Sequence, residues 1–124
     1  MRYNVTVTEH APALHVDEVP TDGGATVLAV HGELDLATID VLKRAVTGYF
    51  GRTGYIVLEL SEMTFCDSTG LGTFVGLHRG AQAGGCRLSL AAPRRRVDDL
   101  LRLSGIDQVI PVYPSRHEAL AASA

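Results

Sequence analysis

Apolar and polar positions along the chain switch between a period of two and a helical period, and the switches mark the elements. Tyr3, Val5 and Val7 alternate with Asn4, Thr6 and Thr8, a strand-like pattern that Pro12 stops. Leu14, Val16 and Glu18 against His15, Asp17 and Val19 make a weaker alternation, and Ala25 to His31 is an apolar, β-rich run. Between them Thr21-Asp22-Gly23-Gly24 is turn chemistry, because glycine reaches positive φ at no steric cost; Leu14–His31 is therefore read as a hairpin. Gly32-Glu33-Leu34-Asp35 follows. Ile39, Leu42, Ala45, Val46 and Tyr49 then recur at helical spacing, with Asp40 and Arg44 four apart outside and Gly51-Arg52-Thr53-Gly54 as the stop. Tyr55–Leu60 is nearly all apolar, as in a central strand covered on both faces, and Ser61 to Cys66 reads as a connection.

The next helix distributes its residues unevenly. Leu71, Phe74, Val75, Leu77, His78 and Ala81 share one broad face, while Gly72, Gly76 and Gly80 lie together on the other. Each interior glycine costs about 1 kcal/mol relative to alanine. The glycines are read either as drift in a helix held by its packing or as a bare surface that lets another backbone come close. Gly84-Gly85 closes the helix, and Cys86–Ala91 alternates as a strand. Pro93 is placed in the first turn of a further helix, with Val97, Leu100, Leu101 and Ser104 as its apolar edge, Asp98 and Arg102 outside, and Gly105 at its end. Val109 to Val112 contains Pro111 and so belongs at a sheet edge. Ser115-Arg116-His117-Glu118 is a capping box opening a last helix through Ala122.

From residue 25 strands and helices alternate. The expected fold is α/β: a single domain with a mixed, mostly parallel sheet of about 4–6 strands, about four helices and the N-terminal hairpin at the sheet edge. Residues 1–11 form an N-terminal extension or an extra edge strand, and residues 12–124 form the domain. At 124 residues, 46% apolar and 20% charged, this is an ordinary globular composition. No apolar run approaches the roughly twenty residues of a membrane span, and the N-terminus lacks a signal-peptide core, which points to the cytoplasm. A net charge of −3 gives no reason to expect nucleic acid, and two cysteines, Cys66 and Cys86, suit a reducing compartment.

The stretch that bears chemistry is Asp67-Ser68-Thr69-Gly70-Leu71-Gly72, a hydroxyl beside an acid and two glycines where strand gives way to helix. It reads as a helix cap, since Ser and Asp both accept from free first-turn N–H groups, or as a place for phosphate chemistry or close partner contact. Ser68 is not in a Gly-x-Ser-x-Gly elbow, and there is no P-loop, Cys-x-x-Cys or His-Glu-x-x-His. His10, His15, His31, His78 and His117 are scattered without metal-ligand spacing, so neither a metal nor a cofactor is expected; His78 reads as a hydrogen-bonded core residue. A phosphate-accepting receiver domain would need a late lysine, but the only lysine is Lys43. Arg94-Arg95-Arg96 is either the solvated start of a helix or a contact for an acidic partner. Asp35 is read as the cap of the first helix or as a contact residue.

Gly32-Glu33-Leu34-Asp35, Asp67-Ser68-Thr69-Gly70-Leu71-Gly72 and Leu100-Leu101-Arg102-Leu103-Ser104-Gly105 together resemble the STAS domain of bacterial anti-sigma-factor antagonists, over about Leu14 to Ala122. The resemblance implies a regulatory binding protein rather than an enzyme. Its partner would be an anti-sigma factor that is also a serine kinase of the histidine-kinase-like ATPase fold, and binding would release a sigma factor. The same resemblance implies phosphorylation of Ser68 by that kinase and its reversal by a metal-dependent serine phosphatase. Asp35 and Asp67 would flank the phosphosite, Thr69 would be the poorer neighbouring acceptor, and Gly70 and Gly72 would help shape the docking surface, with Gly76 on the glycine face. The alternatives are a STAS scaffold or ligand sensor that is never phosphorylated, and a small enzyme or nucleotide-binding domain, for which no motif is present.

Overall fold

Strand β2 (Thr26–Leu34) organises the sheet because it has a different neighbour along each half of one edge. In the computed structural model, which describes residues 13–122, β1 (Leu14–Val19) lies antiparallel to it, from Leu14 opposite Gly32 to Val19 opposite Val27. On the other edge β3 (Tyr55–Glu59) runs parallel to residues 26–29, and β4 (Met63–Cys66) runs parallel to residues 32–34. β5 (Arg87–Ala91) pairs with β3, and β6 (Val112–Tyr113) pairs with β5. The order is β1-β2-β3-β5-β6, with β4 beside β2 beyond the end of β3. Four α-helices accompany these six strands among the described residues: α1 (Ile39–Thr47), α2 (Ser68–Ala83), α3 (Arg95–Leu103) and α4 (Arg116–Ala121), with a turn of 3-10 helix at Ile106–Gln108.

The change of neighbour along β2 happens at Gly32. Its φ is +106°, and a Cβ there would come within 2.1 Å of the Ala13 carbonyl oxygen. Only glycine fits, and the ladder shifts register between Gly32 and Glu33. Gly32-Glu33-Leu34 therefore continues the strand instead of following it, and Ser61–Cys66 holds a strand instead of a connection.

Alternate residues of the sheet feed two cores. Leu28, Val30 and Leu34 of β2 and Ile56 and Leu58 of β3 pack with Leu42 and Val46 of α1, Phe74, Leu77 and Ala81 of α2, and Val97 and Leu101 of α3. Val27, Tyr55, Val57 and Ala91 face the other way, against Ala119 of α4. Burial on both faces is why β3 reads as continuously apolar. The same holds for β5, where residues 88–91 are all buried, so the expected alternation is absent.

Other differences are local. α1 stops at Thr47, with Gly48 as its C-cap; Tyr49 lies past its end and its hydroxyl donates to Glu18 at 2.6 Å. Pro93 precedes α3, whose N-cap is Arg94, and Leu100 and Ser104 are exposed rather than on its buried edge. The last strand begins at Val112, after Pro111, and forms the sheet edge as expected. Neither Gly23 nor Gly24 uses positive φ; the Thr21 hydroxyl closes that turn on the Ala25 carbonyl at 2.8 Å. Asp98 and Arg102 pair at 3.0 Å, whereas Asp40 and Arg44 form no ion pair among the described residues. In the capping box, the Glu118 amide donates to the Ser115 hydroxyl at 3.1 Å. The alternation at Tyr3–Thr8 and the reading of residues 1–11 lie outside the described residues.

Candidate functional site

β2 and β4 finish side by side. Leu34 is opposite Cys66, and the Asp67 amide donates to the Leu34 carbonyl at 3.3 Å. The next residue of each strand is an aspartate, so Asp35 and Asp67 emerge together at the C-terminal ends of two parallel strands, where open α/β sheets present their ligands. Asp35 folds the turn into α1: its carboxylate accepts from the Ala37 amide at 3.0 Å, and its carbonyl accepts from the amides of Thr38 and Ile39, each at 3.0 Å. The N-cap position itself belongs to Thr38, whose buried hydroxyl donates to the Glu33 carbonyl at 2.8 Å and accepts from the Asp35 amide at 3.0 Å. Asp35 is thus the turn residue before the cap, not the cap.

At α2 the work is divided between neighbours. Asp67 is in extended conformation, and its carboxylate accepts from the Gly70 amide at 3.0 Å, the usual N-cap bond to the third helical residue. Ser68 is the first helical residue and is exposed, and no hydrogen bond among the described residues occupies its hydroxyl. Thr69 is half-buried. Gly70 is buried, and a Cβ there would lie 2.8 Å from both the Cys66 sulfur and Leu34 Cγ. It serves close helix-on-sheet packing and does not shape an outer surface, contrary to what the resemblance implied. Burial, and next the Asp67 carboxylate, push the Cys66 thiol up to about 12, so it stays protonated at neutral pH and is no nucleophile.

The glycine face of α2 meets α1. Gly72, Gly76 and Gly80 form one wall of a groove of about 490 Å³, with Ile39, Lys43 and Phe50 opposite. Phe50 lies 3.1 Å from where a Gly80 Cβ would sit, which gives that glycine a packing role; around Gly72 and Gly76 there is nothing within 4 Å. At the same end of the sheet Leu36 is 74% exposed and Phe65 47% exposed. Neither stood out in the sequence, since an apolar side chain in a turn and one in a four-residue strand both look like core.

The STAS-domain family model matches residues 18–119. The chain belongs to the STAS-domain family. Among the relatives of this STAS domain, an anti-sigma F factor antagonist of Paenibacillus polymyxa is 29% identical over 99 residues, covering 78% of this chain and 85% of that protein. An anti-sigma-B factor antagonist of Listeria monocytogenes is 31% identical over 84 residues, 67% of this chain and 74% of that one. The crystal structure of an anti-sigma factor antagonist from Mycobacterium paratuberculosis matches with a TM-score of 0.80 at 25% identity, over 90% of this chain and 96% of that one.

The remaining sequence candidates of this STAS domain lie apart from Ser68 in their contacts. Arg94 donates from Nε to the Ser61 carbonyl at 2.8 Å and lies 3.9 Å from Glu62, tying down the turn between β3 and β4, while Arg95 and Arg96 are exposed. His78 is buried, but its Nδ1 has no partner among the described residues, so it is a core histidine without the expected hydrogen bond at that nitrogen. His15 and His31 are not scattered: they stand directly opposite each other on β1 and β2. No helix among the described residues is long and apolar enough to cross a membrane.

Proposed function

We infer that the chain is an anti-sigma-factor antagonist that acts in the cytoplasm, binding an anti-sigma factor through the end of the sheet where Asp35 and Asp67 emerge and so releasing a sigma factor. In this reading the anti-sigma factor is also a serine kinase of the histidine-kinase-like ATPase fold, it phosphorylates Ser68, and a metal-dependent serine phosphatase restores the serine. The observation that carries the reading is the exposed, unengaged hydroxyl of Ser68 beside a cap made by Asp67. The similarity to anti-sigma factor antagonists of Paenibacillus polymyxa and Listeria monocytogenes supports the antagonist role.

Phosphate on Ser68 would add about −1.5 to −2 charge. Inside the domain that charge meets the N-terminus of a 16-residue helix, whose N–H groups and dipole favour it, and the cap bond is left in place. On the partner's side a dianion beside Asp67 must be desolvated, and like-charge juxtaposition costs several kcal/mol. A penalty of about 3–4 kcal/mol weakens binding several hundredfold. The switch is therefore an interface switch with little internal rearrangement.

Incubation with ATP and the cognate kinase tests it. The expected result is one added phosphate by mass, abolished in Ser68→Ala, with backbone NMR shifts confined to the α2 N-terminus and its neighbours. Shift changes throughout the sheet would overturn the interface-switch mechanism. The groove between α1 and α2 supports a second reading, a ligand-sensing or scaffolding STAS domain that is never phosphorylated, because its volume suits a small molecule. No phosphate uptake together with intact partner binding would favour that reading.

A further inference from the structure

On the sheet face opposite α2, three potential metal ligands converge. His15 and His31 are a cross-strand pair of β1 and β2, and Asp17 lies two residues along β1, hence on the same face. The two imidazole rings stack with centroids 4.4 Å apart and planes 2° from parallel. Each Nε2 lies 3.4 Å from the same Asp17 oxygen, Oδ2. The ligand atoms of all three residues lie within 4.8 Å of one another. Their side chains are 49%, 31% and 62% exposed for His15, His31 and Asp17, so an ion from solution can reach them.

We propose that His15, Asp17 and His31 form a site for a borderline divalent cation of the Zn²⁺ class, which clasps strand β1 to β2. Bonds of about 2.0–2.1 Å to nitrogen and oxygen in a tetrahedral site set ligand atoms about 3.3 Å apart. Both His–Asp separations already have that value. The two imidazoles must turn out of their parallel stack to aim both nitrogens at one ion, and exposed side chains on neighbouring strands do that by rotation about χ1 and χ2. A shared carboxylate oxygen at 3.4 Å is long for a charge-assisted hydrogen bond, which prefers about 2.7–2.9 Å, so binding an ion displaces little. Two imidazoles and one carboxylate suit Zn²⁺, Ni²⁺ or Cu²⁺ over Mg²⁺ or Ca²⁺, which take oxygen ligands. Solvent completes the coordination. Glu59 faces His31 closely enough for the two to interact electrostatically, but its carboxylate is held by Ser61 at 2.5 Å and Arg116 at 2.8 Å and is not counted as a ligand.

Each ligand is separate from the Asp67–Gly70 cap, so the two sites can be tested independently. The experiment is calorimetric titration of the untagged 124-residue chain with ZnCl₂, together with Co²⁺ absorption spectra and thermal melts. The expected result is one saturable equivalent, a tetrahedral-type Co²⁺ visible band, and a melting temperature that rises with Zn²⁺. His15→Ala, His31→Ala and Asp17→Asn should each weaken binding at least tenfold and abolish the melting shift, while His117→Ala should leave both unchanged. Absence of saturable uptake by the wild-type chain overturns the proposal. Unchanged affinity in His15→Ala and His31→Ala overturns it too, since the ion would then sit elsewhere.

Discussion

Asp67 and Gly70 close the first turn of α2 through a single bond, from the Gly70 amide to the Asp67 carboxylate at 3.0 Å. Asp67→Ala removes that bond and should destabilise the domain by about 1 kcal/mol in urea unfolding. Asp67→Asn keeps an accepting oxygen and should lie within a few tenths of a kcal/mol of wild type, while still removing the charge beside Ser68. Equal losses in both variants would mean that charge, not the cap bond, stabilises the turn.

Gly70 and Gly72 stand two residues apart in the same helix and should respond oppositely to alanine. Gly70→Ala drives a methyl against Cys66 and Leu34, both buried, at a cost of about 1–3 kcal/mol. Gly72→Ala meets nothing within 4 Å and should stabilise the helix by up to about 1 kcal/mol. Chemical denaturation of the two variants side by side measures the contrast.

Gly76→Arg places a long cation over the groove between α1 and α2, where the glycine has open space. The melting temperature should stay near the wild-type value, while affinity for the anti-sigma factor should fall at least tenfold, about 1.4 kcal/mol. Surface plasmon resonance with the captured partner reads the effect. Unchanged affinity would remove this groove from the docking surface.

Glu59 should make stability depend on acidity. Burial alone would raise its carboxyl, but hydrogen bonds from Ser61 and Arg116, and the Arg116 charge, outweigh burial and hold it below the usual carboxylate value. A carboxyl depressed in the folded state binds fewer protons there than in the unfolded chain. Its contribution is therefore complete above the unfolded carboxylate pKa, about 4.3, and is lost as pH falls through the lower folded value. Glu59→Gln should be less stable than wild type at pH 7, and the difference should shrink on acidification through that window. Melting temperatures measured from pH 7 down to pH 3 check it.

Much of this arrangement is written locally. Helix α2 announces itself through a cap residue, an apolar face from Leu71 to Ala81 and paired glycines at its end, and the motif around Ser68 is contiguous. β4 is not legible: Met63-Thr64-Phe65-Cys66 is four residues without clear alternation, and its only ladder partner among the described residues is a strand some thirty positions earlier. Gly32 looked like a break because glycine usually ends a strand, whereas here it lets one strand change neighbours. The meeting of His15 and His31 depends on the register of a hairpin, and a one-residue slip would put them out of line. Gly70 and Gly72 look alike in sequence; only the positions of Leu34 and Cys66 separate an interior glycine from a surface one.

The division of labour at the start of α2 also bears on what position 68 is free to be. The cap belongs to Asp67, the packing belongs to Gly70, and the side chain between them supports neither. The local fold thus asks little of its side chain, and most small residues would serve the helix equally well there. The hydroxyl at 68 is left open to whatever reaches it from outside the molecule.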